Sequence, residues 1–178
     1  MTSPEGRPPD LRHLVEVFDR HGVEYIVVGG VAARAYGAQR VTEDVDCLVQ
    51  RTRLNLERVA DALVELHAHL RVTGLSDAEM AALPLPIDAE TLARSALSTW
   101  RTDAGDVDIL ADIPGPGGAR RRYEELIEKS HRLEADGVEV RSADLDDVLE
   151  SKRWANRSKD REALPELEEL ARRRRLAE

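Results

Sequence analysis

An apolar run ends in two adjacent glycines, and an acidic pair set into a second apolar run follows soon after; this constrains the fold of the 178-residue chain most. Val23 to Val28 is rich in β-branched and aromatic residues and leads directly into Gly29-Gly30, the pattern of a buried strand ending in a glycine turn. Val31 to Tyr36 predicts a short helix and Val45 to Val49 a second strand. The stretch between Gly30 and Asp44 holds roughly the dozen residues needed to leave one strand, make about two helical turns and return as an adjacent strand. Glycines without Cβ atoms let backbone N–H groups approach a phosphate there, toward the positive end of the following helix.

The remaining pattern is that of an α/β chain. Thr2 to Pro9 reads as a flexible tail. Asp10 can cap a helix carrying Leu11, Leu14, Val15 and Phe18, which Gly22 stops. Leu54 to Leu66 predicts a second amphipathic helix, Leu83 to Ile87 a loop, and Ala89 to Ser95 a helix. Leu97 to Thr102 and Val107 to Ala111 read as strands joined at Asp103-Ala104-Gly105, a hairpin composition. Ile113 to Gly118 reads as a connecting loop, Ala119 to His131 as a helix, Gly137 to Arg141 as a last short strand, and the remainder as helical. The expectation is a mixed sheet of about four or five strands flanked by helices. One domain would span 10–141, with a C-terminal helical segment, 142–178, packed on it.

Three carboxylates set into apolar runs carry the chemical signal. Asp44 and Asp46, two apart on a strand, project from one face and can share a divalent cation. Asp108 lies between Val107 and Ile109 on what should be a neighbouring strand. Acids gathered this way repel unless a cation such as Mg²⁺ or Mn²⁺ lies between them and a nucleotide's phosphates. Asp108 would then be a metal ligand or a proton acceptor for an attacking hydroxyl. Asp106 faces the same side on a regular strand, and the choice of Asp108 rests on its apolar flanks and on the resemblance described below.

Charge and cysteine content narrow the setting. The chain has 35 acidic and 26 basic side chains, a formal charge of -9, so its surface as a whole repels nucleic acid and anionic membranes. The segment from Ser151 onward is the exception, with 9 Lys/Arg against 6 Asp/Glu. A single cysteine, Cys47, excludes an internal disulfide or a Cys-rich zinc site. A reducing cytoplasm is the expected compartment, and no apolar window reaches the roughly 20 residues that span a bilayer.

In combination, Gly29-Gly30, Asp44-Val-Asp46 and Val107-Asp108-Ile109 resemble the polymerase-β-like nucleotidyltransferase superfamily over about Val23 to Ala111. More narrowly, Arg40-Val-Thr42-Glu-Asp44-Val-Asp46 and Lys152-Arg-Trp-Ala-Asn-Arg157-Ser-Lys159-Asp160 resemble the AbiEii/MenT-type nucleotidyltransferase toxins. The resemblance implies transfer of a nucleotide from a nucleoside triphosphate, in known cases to the 3′ end of tRNA, and a cognate antitoxin as partner. It places Asp44, Asp46 and Asp108 at the metals and Lys152 in catalysis. Gly29, Gly30, Arg40, Thr42, Arg157, Lys159 and Asp160 would bind the nucleotide. Val31 stands where many relatives have a phosphate-binding Ser, so the backbone, Arg40 or Thr42 would cover that role. An adenylyltransferase acting on a partner protein or a small molecule such as an antibiotic is an alternative reading, and a non-catalytic nucleotide-binding module is another.

Other residues read as structural. Cys47 is expected to be a small buried hydrophobe and Trp100 and Trp154 packing residues. His67 and His69 read as a surface pair. Arg172 to Arg175 would spread around a helix end, where cations favour the dipole.

Overall fold

The computed structural model describes residues 8–177; the expected tail, up to Arg7, lies outside the described residues. In chain order the helices are α1 (Leu11–Arg20), α2 (Gly29–Ala35), α3 (Arg53–Glu65), α4 (Asp77–Ala81), α5 (Ala89–Arg94), α6 (Tyr123–Leu126), α7 (Leu145–Ala155) and α8 (Ser158–Ala177). The strands are β1 (Tyr25–Val28), β2 (Asp44–Val49), β3 (His69–Leu70), β4 (Leu97–Thr102), β5 (Gly105–Leu110), β6 (Ile113–Pro114), β7 (Arg120–Arg121), β8 (His131–Ala135) and β9 (Val138–Ser142). Seven strands form one mixed sheet in the order β3-β4-β5-β2-β1-β9-β8. β1–β9 and β2–β5 are parallel pairs, and the other neighbours are antiparallel.

Burial explains the centre of the sheet. All four residues of β1 are buried, as are Val45, Cys47, Leu48 and Val49 of β2, so these strands exclude water from both faces. Phe18 of α1 meets Tyr25 edge-on at 5.2 Å between ring centroids, a favoured aromatic geometry. The Asp10 side chain accepts the His13 N–H at 3.0 Å and caps α1 as expected. Asn55, buried at the start of α3, bonds the backbone of Glu24 and Gln50 and ties β1, β2 and α3 together away from the acids. α1, α3 and α5 pack as one group, and α2, α7 and α8 as another.

Several expectations need correction. The helix expected over Ala119 to His131 is instead β7, the single turn α6, a 3₁₀ turn and the start of β8. Arg120, Arg121 and Arg122 leave too few apolar residues for a helical stripe, and β6 captures two of these positions. β8 completes a hairpin with β9 across Asp136-Gly137, both at positive φ (50° and 77°), the Asp-Gly turn that favours two-residue hairpins. β6 falls in the stretch read as a connecting loop, and β3 and α4 lie between Leu66 and Leu83, where no element was expected. α2 begins at Gly29 rather than Val31. Trp100 is core, whereas the packing expected for Trp154 is not seen; it is 47% exposed. His67 and His69 do not form a pair: His67 contacts Asp103 at 2.6 Å and His69 lies half-buried on β3.

Candidate active site

Strand register brings the acids together. β2 runs parallel to β5 with Asp44 opposite Asp106 and Asp46 opposite Asp108, and side chains two apart share a face, so four carboxylates line one patch of sheet. Their partners then separate them. Asp106 is held by Arg101, Nε to Oδ1 at 2.7 Å, and by Arg71. Asp108 receives a hydrogen bond from Thr99 while its Oδ1 is buried without a hydrogen-bond partner. The structure thus engages Asp106 in a salt-bridge cluster and leaves Asp108 partly unsatisfied beside Asp46.

Electrostatics makes the same point. Burial, then the like charges of Asp44 and Asp108, push Asp46 up to about 7, against the pull of Lys159 and Lys152. Burial also raises Asp108. Cys47, fully buried below them, is raised by burial and by Asp46 and Asp108, so it is an inert thiol, as expected.

The glycine pair serves close approach. Gly29 lies at φ +62°, and a Cβ there would fall 1.9 Å from Asp46 Oδ2; one on Gly30 would fall 2.6 Å from Thr42 Oγ1. Thr42 in turn donates to the Asp44 carbonyl at 3.0 Å and to Asp44 Oδ1 at 3.2 Å. The two glycines therefore seat the side chains that carry and orient the acidic pair.

The cations come from α7 and α8. Asp160, fully buried, accepts from Arg157 Nε at 2.7 Å and from Lys152 Nζ at 3.5 Å. Burial alone would raise Asp160, but Arg157 and Lys152 hold it below the ordinary carboxylate range. Asp160 is thus a clamp that positions two cations. Arg40 reaches α8 rather than the acids, bonding Glu162 at 3.1 Å on the surface.

These groups border two cavities. A cleft of about 290 Å³ is lined by Gly29, Gly30, Asp44, Asp46 and Lys159, with Arg40 and Thr42 at its wall. A second cavity of about 270 Å³ lies between Leu97, Ile113, Pro114 and Val148 and reaches Asp108. Asp46, Lys152 and Arg157 border both. Every sequence-predicted site residue except Asp108 and Asp160 lines the first cleft, and those two line the second.

A divalent cation fits this chemistry, because frustrated carboxylates and an orphaned buried oxygen are what a cation satisfies. Among the described residues, however, no group of three or more His, Cys, Asp or Glu side chains is arranged to enclose an ion alone. Further ligands would come from water and from substrate oxygens.

Comparison with known proteins follows the same line. No protein-family model matches the sequence, and no curated protein does. Solved structures do match. The lincosamide antibiotic adenylyltransferase LnuA, in its lincomycin-bound structure, superposes with a TM-score of 0.60 at 13% identity, covering 90% of this chain and 96% of that one. The chain has the nucleotidyltransferase fold. A candidate nucleotidyltransferase from Thermotoga maritima matches at TM-score 0.53 and 17% identity, over 93% of this chain and 94% of that one. The antibiotic-resistance factor ANT(2'')-Ia matches at 0.54 and 15%, over 94% and 91%.

Two groups at this site escaped the sequence reading. Thr99 follows from the hairpin once its turn sets Thr102 opposite Gly105, because that register puts Thr99 opposite Asp108. Glu166 lines the first cleft one α8 repeat beyond Lys159, a spacing visible in Lys159, Ala163, Glu166 and Leu167.

Proposed function

We propose that this chain transfers a nucleoside monophosphate from a nucleoside triphosphate to a hydroxyl acceptor with release of pyrophosphate. The observation that carries the reading is the juxtaposition of Asp46 and Asp108 on paired strands, with Lys152 bordering both cavities. Asp44 and Asp46 would hold Mg²⁺ or Mn²⁺, with Asp108 beside them; when bound, the cation polarises the α-phosphate and neutralises the triphosphate. Gly29 and Gly30, whose missing Cβ atoms admit Asp46 and Thr42, line the same cleft and would present the start of α2 to phosphate. Asp108 takes the acceptor's proton, the hydroxyl oxygen bonds the α-phosphorus, and the bond to pyrophosphate breaks. Lys152, Lys159 and Arg157 offset the charge that gathers on the leaving pyrophosphate. Asp160 keeps Lys152 and Arg157 aimed at it.

The acceptor is read as the 3′ end of tRNA, with the chain acting in the cytoplasm as the toxin of a toxin-antitoxin pair. The stretches Arg40 to Asp46 and Lys152 to Asp160 support this reading. A small-molecule or protein acceptor is favoured by a different observation. Arg172 and Arg173 pair with Glu169, Arg174 with Asp144 and Arg175 with Asp146, so three carboxylates within the fold offset much of this basic cluster. LnuA and ANT(2'')-Ia, whose names tie them to antibiotics, share the fold.

One experiment separates these readings: purified protein, Mg²⁺, each α-³²P-labelled ribonucleoside triphosphate, and total tRNA, with Asp46→Asn as control. Label on tRNA that is absent in the variant supports the first acceptor. Label on a protein or an added hydroxyl compound supports the second. Triphosphate binding and transfer both absent would refute nucleotidyl transfer.

A further inference from the structure

The nucleotide cleft is chemically polarised along α8. Lys159, Ala163, Glu166 and Leu167 recur at helical spacing along its wall, so Lys159 and Glu166 lie on one face about two turns, or about 10 Å, apart. The Lys159 end holds Lys152, Arg157 and the acidic pair. The Glu166 end has a floor of Ala33, Ala38 and Ala163, all nearly fully buried and small. A triphosphate is drawn to the cationic end and repelled by Glu166. The flat apolar body of a base suits the alanine-lined end. The separation is that between a nucleotide's phosphates and its base.

Glu166 is half-buried at that end. Its Oε1 accepts the Gln39 backbone N–H at 2.7 Å, which holds the carboxylate against the loop roofing the cleft, and Oε2 makes no hydrogen bond among the described residues. A carboxylate only accepts hydrogen bonds. We infer that Glu166 reads the base, selecting nucleoside triphosphates whose base carries an exocyclic amine and disfavouring uracil, whose single N3–H donor is flanked by two carbonyl oxygens that repel a carboxylate. The inference rests on the reading of this cleft as a nucleotide site.

The test is equilibrium binding of α,β-methylene analogues of ATP, CTP, GTP and UTP, with Mg²⁺, to the wild-type chain and to Glu166→Gln, and of inorganic tripolyphosphate to both. An amide retains an acceptor for Gln39 and so keeps the loop tether, while adding a donor that uracil can use. The expected result is UTP analogue binding at least about tenfold weaker than the best amine-bearing analogue. In Glu166→Gln that gap should shrink severalfold, while tripolyphosphate, relieved of a repelling charge, should bind the variant no more weakly than the wild type. Equal binding of all four analogues, or a UTP preference, overturns the inference and leaves nucleotidyl transfer standing. A uracil gap that Glu166→Gln does not alter likewise overturns it. Failure of all four analogues and tripolyphosphate to bind overturns both.

Discussion

Asp46→Asn should make the protein more stable at alkaline pH while removing its chemistry. Asp46 is pushed from its ordinary 3.8 to about 7, first by burial and then by Asp44 and Asp108. A raised acid binds its proton more tightly in the native state than in the unfolded chain. Its contribution is therefore fully present below the unfolded value and is lost as pH rises to the folded one. Over that interval, at 1.36 kcal/mol per pH unit, the loss approaches about 4 kcal/mol by pH 8. The isosteric amide carries no charge to desolvate. At pH 8 it should raise stability by up to about 4 kcal/mol, or about 10 °C in Tm for a chain of this size. Urea unfolding at pH 8 and pH 5 in a chelator measures it, and the gain should fall by more than half at pH 5. Mg²⁺ with a triphosphate should narrow the difference by stabilising only the wild type. A variant no more stable than wild type at pH 8, or a gain that does not depend on pH, would refute the account of Asp46 as a frustrated charge.

The remaining predictions concern the supports of the site. Gly29→Ala places a Cβ 1.9 Å from Asp46 Oδ2 at φ +62°; it should abolish transfer with the circular dichroism spectrum unchanged, and retained activity would show that Asp46 need not sit where it does. Asp108→Asn should lower transfer by at least about a hundredfold, whereas Asp106→Asn, which weakens the charge-assisted bonds from Arg71 and Arg101, should cost about 2 kcal/mol in denaturant unfolding and leave transfer within a few fold. The reverse ranking would make Asp106 the third carboxylate. Asp160→Ala strips a fully buried carboxylate from Lys152 and Arg157 and should cost about 3–5 kcal/mol, with Asp160→Asn milder and lowering kcat more than it raises the KM for triphosphate. Equal kcat losses in both variants would argue against a positioning role.

Where local chemistry dictated structure, it could be read directly. The central strands declared themselves because β1 is apolar throughout and β2 becomes so after Asp46, and the β4–β5 hairpin because Asp103-Ala104-Gly105 can hardly do anything else. β8 was not recognised because His131, Arg132 and Glu134 give an edge strand little apolar signature, although Asp136-Gly137 carried the turn that makes it. The partners of the acids were harder still. Nothing near Asp106 in the chain indicates that Arg71, thirty-five residues earlier, ends beside it, because that contact exists only after β3 adds to β4. The same holds for the glycines. A Gly-Gly pair after a strand suggests room for a phosphate, yet Gly29 is first required by Asp46 and Gly30 by Thr42, two side chains delivered by the returning strand and its approach. The glycine turn and the acidic pair are thus one device. The turn can sit there only because the glycines lack Cβ atoms, and Asp46 is frustrated because that turn lets it lie buried between β1 and β5 with Asp44 and Asp108 beside it. Either half alone in a sequence would be an ordinary turn or an ordinary strand-end acid; the spacing that unites them is what gives the site its chemistry.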